Sequence, residues 1–485
     1  MDRIDGLILG AYLLISLILG LLFYRKNDQR ENYLLAGRSL GWAPVGLSIM
    51  VTAFSAINIT AFSGEVFGNG LYVLMSVPVF YLVSIPIRKI VIPFFLNLNV
   101  TSAYEYLEIR FHRKVRHLAA VMFILWRILW VGTVVYVPGR ILSQISGISL
   151  NTLIILTGSI ATLYTFLGGI RAVIWTDVMQ FFIMIGGLLA TIVYTINYIP
   201  GGLWGIGETA AAGGLLKPFH PFDPGIFSLD PRIRISFWSA LIGTFIAFLT
   251  RYSADQMVVQ RYLTAKTITQ AKRGFTLNYL AATGSIILLA FLGLAIYAYF
   301  IQQGSPILES ILPIKYFTRF LINLPVGVKG LMITAIIAAS MSSFDSGIHS
   351  CSTVFGADFS DSALIKKIPP QMLVLLIGSL IMIVAVNMQH FGSIFEIANK
   401  VVNGFGSPLL ALFFAGRYIR TCTTGGAFWG GLAGLIFSST TILLVHNLAL
   451  HYYAVINFGA TLGFICFFSL TSNRMRFSSS NKYTI

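Results

Sequence analysis

The sequence predicts an all-α integral membrane protein with about thirteen transmembrane helices. Of its 485 residues, 56% are hydrophobic and only 10% are charged, whereas a soluble domain carries about 25% charged residues. A soluble protein of this length could not cover its surface with so few charges. Apolar runs near the roughly 20 residues that cross a bilayer repeat along the chain. Soluble enzymes, disordered chains and nucleic-acid-binding domains are therefore excluded.

The apolar runs divide the chain into thirteen predicted spans. They are 5–24, 41–66, 71–98, 117–144, 151–167, 173–197, 236–254, 275–301, 325–356, 371–388, 393–415, 423–446 and 451–472. The first run is expected to be a retained helix, because no small-residue cleavage pattern follows it. The connecting loops are short except for 198–235 and 302–324, and the second of these has room for a short surface helix.

The distribution of Lys and Arg predicts the orientation. Cytoplasmic loops of membrane proteins carry an excess of these residues. About twenty of the 33 lie in loops after odd-numbered spans, Arg261 among them, and about seven lie on the opposite side. We therefore expect a plasma-membrane protein with its N-terminus outside and its C-terminus in the cytoplasm. The net charge of +16 then reflects cytoplasmic loops rather than an acidic partner.

Polar residues are concentrated in the second predicted span, which contains Thr52, Ser55, Asn58, Thr60 and Ser63. A polar group inside a bilayer costs energy unless it is paired or lines a water-filled path. A single Ser or Thr can bond to its own helix, but the cluster that includes Asn58 favours a binding cavity. Small and polar interruptions of this kind also suggest broken helices, whose free carbonyls suit a sodium ion.

The ninth predicted span carries a second polar cluster. Ser342, Ser343 and Ser346 share or adjoin one helix face. Neutral oxygens on such a face suit a hard monovalent cation, whereas magnesium and calcium normally demand more carboxylates. Asp345 adds one carboxylate, which either pairs with a Lys or Arg near the cytoplasmic mouth or takes part in ion binding.

Further charged residues inside or at the ends of predicted spans include Asp177, Arg127, Arg140 and Arg251. Asp177 opens the sixth span and either pairs with Arg171 or serves an ion path. Arg140 and Arg251 are placed where they can snorkel to an interface. Arg127 lies about three turns into its helix, so it needs a carboxylate or a substrate anion.

An integral-membrane enzyme is the least favoured class. His349 and His390 have no adjacent carboxylate or metal-ligand pattern, so each is expected to be a polar helix or loop residue. Cys351, Cys422 and Cys466 are expected to be unpaired thiols in apolar surroundings.

Several long motifs resemble the sodium:solute symporter family, which includes sodium-coupled sugar, proline, iodide, monocarboxylate, multivitamin and sialic acid transporters. The motifs are YLLAGRSLGW at 33–42, TSAYEYLEIRF at 101–111, GGIRAVIWTDVMQ at 168–180 and DQMVVQRYL at 255–263, followed by the serine-rich ninth span. The resemblance extends from about residue 5 to 472. The second motif is most similar to the iodide, monocarboxylate and multivitamin branch.

The resemblance implies a LeuT-type core of ten helices in two inverted repeats of five. The first repeat is expected at 41–197 and the second at 236–415, with an extracellular loop, 198–235, between them. An additional helix and a cytoplasmic loop, 1–40, come before the core. Two additional helices and a short cytoplasmic tail, 416–485, come after it.

The resemblance also implies ion sites. One sodium ion would be held by the backbone carbonyls of Val51, Phe54 and Ala339 and by the hydroxyls of Ser342 and Ser343. A possible second sodium or ion path would use Asp177, Ser346 and Asp345.

The substrate pocket implied by the resemblance contains Ser55, Asn58, Trp130, Phe248 and Tyr252. By approximate alignment, Val77 and Phe248 replace an acid and an asparagine of the sugar transporters. Trp130 replaces the arginine with which sialic acid carriers hold a carboxylate. These differences argue against a sugar and against a sialic acid as the substrate.

The expected function is sodium-coupled symport that imports a small organic solute by alternating access, with a preference for a small carboxylate or another anion-like solute. The expected partners are sodium, the solute and the lipid bilayer, with no organic cofactor and no nucleic acid. The alternatives are a sugar, polyol or sialic acid symporter and, from other classes, a solute sensor without transport or an uncoupled channel.

Overall fold

The computed structural model describes residues 2–24, 29–216, 227, 228, 230, 237–304, 313–360, 362–388, 394–445 and 452–480. Within these residues the regular structure is helical, apart from an isolated bridge between Leu40 and Ala265. Much of the predicted loop 198–235 and the predicted loop residue His390 lie outside the described residues. The α-helices are α1 (Arg3–Tyr24), α2 (Arg30–Leu35), α3 (Trp42–Ala53), α4 (Ala56–Asn69), α5 (Val77–Pro86), α6 (Ile92–Leu98), α7 (Glu105–Arg110), α8 (Arg113–Ser146), α9 (Leu150–Tyr198), α10 (Gly202–Ala212), α11 (Thr244–Ser253), α12 (Gln256–Thr264), α13 (Ile268–Gln302), α14 (Pro313–Asn323), α15 (Val328–Asp358), α16 (Ala363–Lys367), α17 (Pro370–Asn387), α18 (Ile394–Tyr418), α19 (Thr424–Leu444) and α20 (Tyr452–Ser480).

Length and hydropathy mark the membrane-crossing segments of the described chain. Nine helices are long and apolar enough to cross, and the bent pair α3 and α4 makes a tenth candidate. Leu7, Phe182 and Leu376 are exposed by 72%, 62% and 59% on the outside of the bundle. Large apolar side chains are stable in that position when hydrocarbon rather than water surrounds the protein. The architecture is that of a multi-pass membrane protein.

Helix α9 contains two crossings. Its 49 residues would extend about 74 Å at 1.5 Å per residue, more than twice the roughly 30 Å of a bilayer core. The helix is interrupted at Gly169, which has φ +55° and ψ −154°. A side chain at this position would also meet Tyr33, so glycine permits both the turn and the close packing. The two halves correspond to the predicted spans 151–167 and 173–197.

The predicted span 41–66 is broken in its middle. Helices α3 and α4 meet at an angle of 63°, and Phe54 and Ser55 between them have extended backbone conformations. Ser55 and Asn58 form a reciprocal capping box at the start of α4. The cap supplies partners for backbone groups that the break removes from the helical ladder.

The predicted seventh span, 236–254, ends at a break, and the chain continues beyond it in a second helix. Helix α11 ends at Ser253, and α12 begins at Gln256 after a break at Ala254 and Asp255. Arg261, expected in a cytoplasmic loop, lies in α12 and is fully buried. The charged and amide side chains of α12 lower its hydropathy, which is why an apolar count ends before it.

Helix α15 lies at the centre of the bundle. It packs against α9, α8, α17 and α1, and nearly all of its residues from Met332 to Val354 are buried. Helices α19 and α20 pack against each other and against α18. The predicted loop 302–324 contains the short helix α14, as its length suggested. The central position of α15 brings its serines to the broken helix α3–α4.

Neighbouring glycines in α9 give a test of the packing between α9 and α15. A Cβ added at Gly187 would lie 2.7 Å from the Ala335 Cβ and 2.8 Å from the Leu331 carbonyl oxygen, whereas one added at Gly186 would meet nothing within 4 Å. We expect Gly187→Ala to destabilise the protein by about 1–3 kcal/mol through overpacking. Gel filtration after heating gives the temperature at which half of the protein is lost from the folded peak. This temperature should fall for Gly187→Ala and be unchanged or higher for Gly186→Ala. Equal temperatures for the two variants would contradict the close packing.

Candidate functional site

The break between α3 and α4 exposes three successive carbonyls that side chains from other helices satisfy. Ser342 Oγ donates to the Val51 carbonyl at 3.2 Å. Ser343 Oγ donates to the Thr52 carbonyl at 3.4 Å. Arg251 Nη1 donates to the Ala53 carbonyl at 3.2 Å. The break is therefore held by α15 on one side and by α11 on the other.

The residues predicted to hold sodium come together at this break. Ser342 Oγ lies within 3.1 Å of the Ala339 carbonyl as well as near that of Val51, and all three residues are buried. Phe54 lies at the break itself, and its N–H donates to the Val51 carbonyl at 3.1 Å. Ser343 contacts the neighbouring Thr52 carbonyl. Neutral oxygens from two elements thus converge in a buried position.

Asp177 has a different partner from the one considered in the sequence. Its Oδ2 accepts hydrogen bonds from Ser48 at 2.5 Å, from Arg261 at 3.1 Å and from Thr52 at 3.4 Å. Arg171 instead donates to the Ala36 carbonyl and to Ser39. The alternative in which Asp177 pairs with Arg171 was therefore wrong. Arg261 occupies that role because α12 inserts it into the bundle.

Ser346 and Asp345 lie beside this ion pair. Arg261 Nη2 also donates to Ser346 Oγ, which lies 3.0 Å from Thr52 Oγ1 and donates to Asp345 at 3.2 Å. The other oxygen of Asp345 accepts from Tyr164 at 2.5 Å. Within the described residues no Lys or Arg forms an ion pair with Asp345. The alternative in which Asp345 pairs with a Lys or Arg was therefore wrong.

The predicted substrate residues form two groups. Ser55 Oγ and Asn58 Oδ1 lie 3.1 Å apart in the cap of α4. On α11, the Phe248 ring stacks on Phe80 with centroids 4.2 Å apart and lies 6.3 Å from the Tyr252 ring. Trp130 lies half-buried on α8, a helix that contacts α4.

Arg251 connects these groups and was missed as a site residue. It was expected to snorkel to an interface, but it reaches across to the Ala53 carbonyl beside the cap of α4. Its position next to Tyr252 in the sequence was the available signal. No acid forms an ion pair with it in the described part of the chain. A guanidinium has five N–H donors, so it can also bind an anion here.

Arg127 pairs with a carboxylate at the second break. Its guanidinium donates to Asp255 and lies 4.0 Å from the ring of Trp126. Asp255 also caps α12 by accepting from the Met257 N–H at 3.0 Å. Of the two partners considered for Arg127, a carboxylate is therefore correct.

The buried histidine of α15 has a structural position. The two His349 ring nitrogens lie 3.2 Å from Gln260 Nε2 and 3.1 Å from the Tyr33 carbonyl. Among the described residues, no group of three or more His, Cys, Asp or Glu side chains can hold a metal ion. His349 is thus a polar helix residue that joins α2, α12 and α15.

In secondary transporters, broken helices whose free carbonyls face side-chain oxygens bind ions. The arrangement of α3, α4 and α15 is of this kind and indicates a secondary transporter. Known proteins similar to this chain identify its family.

The model of the sodium:solute symporter family matches residues 33–434. The sodium-coupled monocarboxylate transporter 2 of Bos taurus is 30% identical over 448 residues, which cover 90% of this chain and 71% of that protein. The sodium-dependent multivitamin transporter of Oryctolagus cuniculus is 30% identical over 451 residues, covering 90% and 69%. The substrate-bound outward-open structure of a Na⁺-coupled sialic acid symporter superimposes with a TM-score of 0.86 at 25% identity, covering 97% of this chain and 98% of that one.

The chain belongs to the sodium:solute symporter family. It has the LeuT-type fold, and its function is sodium-coupled symport, with Na⁺ as the co-transported ion. The family and its relatives are transporters rather than enzymes. The predicted family, fold class and transport function are confirmed.

The ion pair between Arg127 and Asp255 gives a stability prediction. Asp255→Asn keeps a side chain that can cap α12 but leaves the Arg127 guanidinium buried without a counter-charge. We expect a loss of about 3–5 kcal/mol, measured as a lower unfolding midpoint in detergent. The double variant Arg127→Met/Asp255→Asn should recover most of this loss, because it removes the unpaired charge. Additive losses in the double variant would show that the two residues do not depend on each other.

Proposed function

We propose that this symporter takes up a small carboxylate together with sodium, and that both bind at the break between α3 and α4. The observation that carries the proposal is the set of three carbonyls at the break, of which two accept from serines and one accepts from Arg251. Oxygen ligands suit the cation, and a guanidinium suits a carboxylate.

For the coupled sodium we propose five ligands, the carbonyl oxygens of Val51, Phe54 and Ala339 and the hydroxyl oxygens of Ser342 and Ser343. The Val51 and Ala339 oxygens lie within 3.2 Å of Ser342 Oγ. A hydroxyl that donates to a carbonyl can rotate and present a lone pair to an ion between them. Coordination to sodium would then replace the hydrogen bonds between α3 and α15 and hold the two helices together more strongly.

We propose Asp177, Ser346 and Asp345 as a second sodium site or ion path. Asp177 is already paired with Arg261, whereas Asp345 has no cationic partner in the described residues, so its carboxylate oxygens can accept a passing cation. Arg261 already bonds Asp177 and Ser346, so a second sodium would bind nearer to Asp345 or would displace this side chain.

For the substrate we propose a pocket formed by Ser55, Asn58, Trp130, Phe248 and Tyr252, with Arg251 as the anchor of the carboxylate. Aromatic walls with few polar groups are typical of small-molecule sites. Curated relatives are named as monocarboxylate and multivitamin transporters, which supports an acid. The sialic acid symporter structure favours a second candidate, because a sialic acid also carries a carboxylate.

In the proposed cycle, sodium binds first and stabilises the outward-open arrangement of the broken helix. The solute then binds beside it, and the bundle rocks to release both inward. A cycle that carries one sodium ion and one carboxylate moves no net charge, so the sodium gradient alone drives it. A second sodium ion would make the cycle electrogenic and add about 2.3 kcal/mol for each 100 mV. We propose the N-terminus outside, the C-terminus in the cytoplasm of a plasma membrane, and repeats at 41–197 and 236–415.

The transport activity can be tested in proteoliposomes. An imposed inward sodium gradient should drive accumulation of propanoate above its external concentration. A sensor or an uncoupled channel cannot concentrate solute. Glucose and a sialic acid in parallel assays distinguish the alternative substrates, and accumulation of glucose alone would overturn the carboxylate proposal.

Ser343→Ala tests the sodium site. Loss of one oxygen ligand to an ion should raise the sodium concentration for half-maximal uptake about tenfold, with unchanged expression. Ser352→Ala is the matched control, because Ser352 is buried on the same helix and bonds only to the Ile348 carbonyl. An equal sodium dependence in both variants would remove Ser343 from the ion site.

Arg251→Gln tests the carboxylate anchor. Loss of a charged hydrogen-bonding partner should raise the KM for propanoate about tenfold or more, while sodium-dependent inhibition by propanamide should change little. Arg140→Gln removes one positive charge from an exposed position on α8. This control should leave the KM for propanoate and the inhibition by propanamide unchanged. A similar loss of propanoate and propanamide binding would assign Arg251 to the helix break alone.

A further inference from the structure

Four cations on two neighbouring helices lie on the outside of the bundle. Arg88 and Lys89 belong to a π-helical turn, Ile87–Val91, between α5 and α6. Lys272 and Arg273 lie in the first two turns of α13. We call these four residues the basic seam. We propose that the basic seam binds the phosphate group of an anionic phospholipid.

Packing contacts show that the two helices run in opposite directions. The Tyr81 and Tyr279 rings meet edge to face with centroids 5.1 Å apart. Nearer the start of the same segment, Leu74 packs against the cluster that contains Ala290 and Leu294. Residue numbers therefore fall on one helix while they rise on the other.

This alignment brings the basic residues to one level. Arg88 follows Tyr81 by seven residues, and Lys272 precedes Tyr279 by seven. Seven residues make about two helical turns, or about 10.5 Å, and return to the same helix face. Arg88 and Lys272 thus lie at a similar depth, each about two turns from the tyrosine contact, with Lys89 and Arg273 next to them in the sequence.

The basic seam lacks a protein counter-charge. Arg88 Nε is buried without a hydrogen-bond partner. In the described ranges, no acid forms an ion pair with any of the four side chains. The deeply buried Arg127 and Arg261, by contrast, are each paired with an aspartate. An anion stabilises a cation at the edge of hydrocarbon, and within the described residues the protein does not supply one.

The surroundings favour a lipid over a soluble phosphate. Ile85, Ile90 and Leu280 are exposed by 52%, 41% and 50%, while Lys89 and Arg273 are exposed beside them. An occupant that satisfies both kinds of side chain has an anionic headgroup and apolar chains. Basic pockets between transmembrane helices on the cytoplasmic side bind anionic headgroups. Assignment to the cytoplasmic leaflet rests on the proposed orientation, but lipid binding does not.

Native mass spectrometry of the purified full chain tests the proposal with phosphatidylglycerol and phosphatidylcholine as probes. The unmodified protein should retain phosphatidylglycerol preferentially. Arg88→Gln/Lys272→Gln should weaken its binding about tenfold or more, and Arg88→Lys/Lys272→Arg should preserve it. Lys89→Gln/Arg273→Gln changes exposed side chains only, so it should weaken binding without affecting folding.

The matched control is Lys366→Gln/Lys367→Gln, which removes two exposed charges from another helix, α16. It should retain phosphatidylglycerol. If this control loses as much phosphatidylglycerol as Arg88→Gln/Lys272→Gln does, net charge alone attracts the lipid and the proposed site is overturned. Equal retention of phosphatidylcholine, or full competition by glycerol 3-phosphate, would overturn it as well. Sodium-driven uptake in parallel separates these outcomes from a failure of the proposed transport function.

Discussion

A helix that breaks inside a bilayer must find partners for the carbonyls that it frees, because the hydrocarbon offers none. Here the last carbonyls of α3, those of Val51, Thr52 and Ala53, accept hydrogen bonds from Ser342, Ser343 and Arg251 respectively. The first two donors come from α15 and the third from α11. The conformation of the break therefore depends on two helices at once. An ion that engages the serines and an anion that engages the arginine would both act on the same few backbone groups.

The charged residues near the breaks also differ between the side of α15 and the side of α11. Asp177 is paired with Arg261, and Asp255 with Arg127. Around the two breaks in the described chain, this leaves Asp345 without a cationic partner, near the serines, and the half-buried Arg251 without an acidic partner, near the cap of α4. An unpaired charge at such a position is stabilised by a ligand of opposite sign. Asp345 thus lies toward the proposed ion path and Arg251 toward the proposed solute pocket, an arrangement that suits co-transport of a cation with a carboxylate.

Local features of the sequence predict the elements of this site better than its pairings. Serines and an asparagine within an apolar run already indicate the break in α3–α4, because polar residues inside a bilayer cost energy unless they are paired or line a cavity. The partner of Asp177 was not predictable in this way, since Arg261 is distant in sequence and α12 is too polar to count as part of a span. Arg251 was misjudged for a related reason. Hydropathy places an arginine near a helix end, but only the folded structure shows that its guanidinium reaches the Ala53 carbonyl.

The two breaks also explain why the proposed sodium site lies in one half of the protein. One break, at Phe54 and Ser55, and the other, at Ala254 and Asp255, each fall in the first core helix of a proposed repeat. Discontinuous helices at corresponding positions are expected of inverted repeats. The breaks differ in chemistry, however. At the second break Asp255 caps α12 and is neutralised by Arg127, so a guanidinium already supplies the positive charge. At the first break Arg251 reaches only the Ala53 carbonyl, on the side of α11. The donors on the side of α15 are neutral hydroxyls, which can turn their lone pairs toward an ion, so sodium is expected on that side.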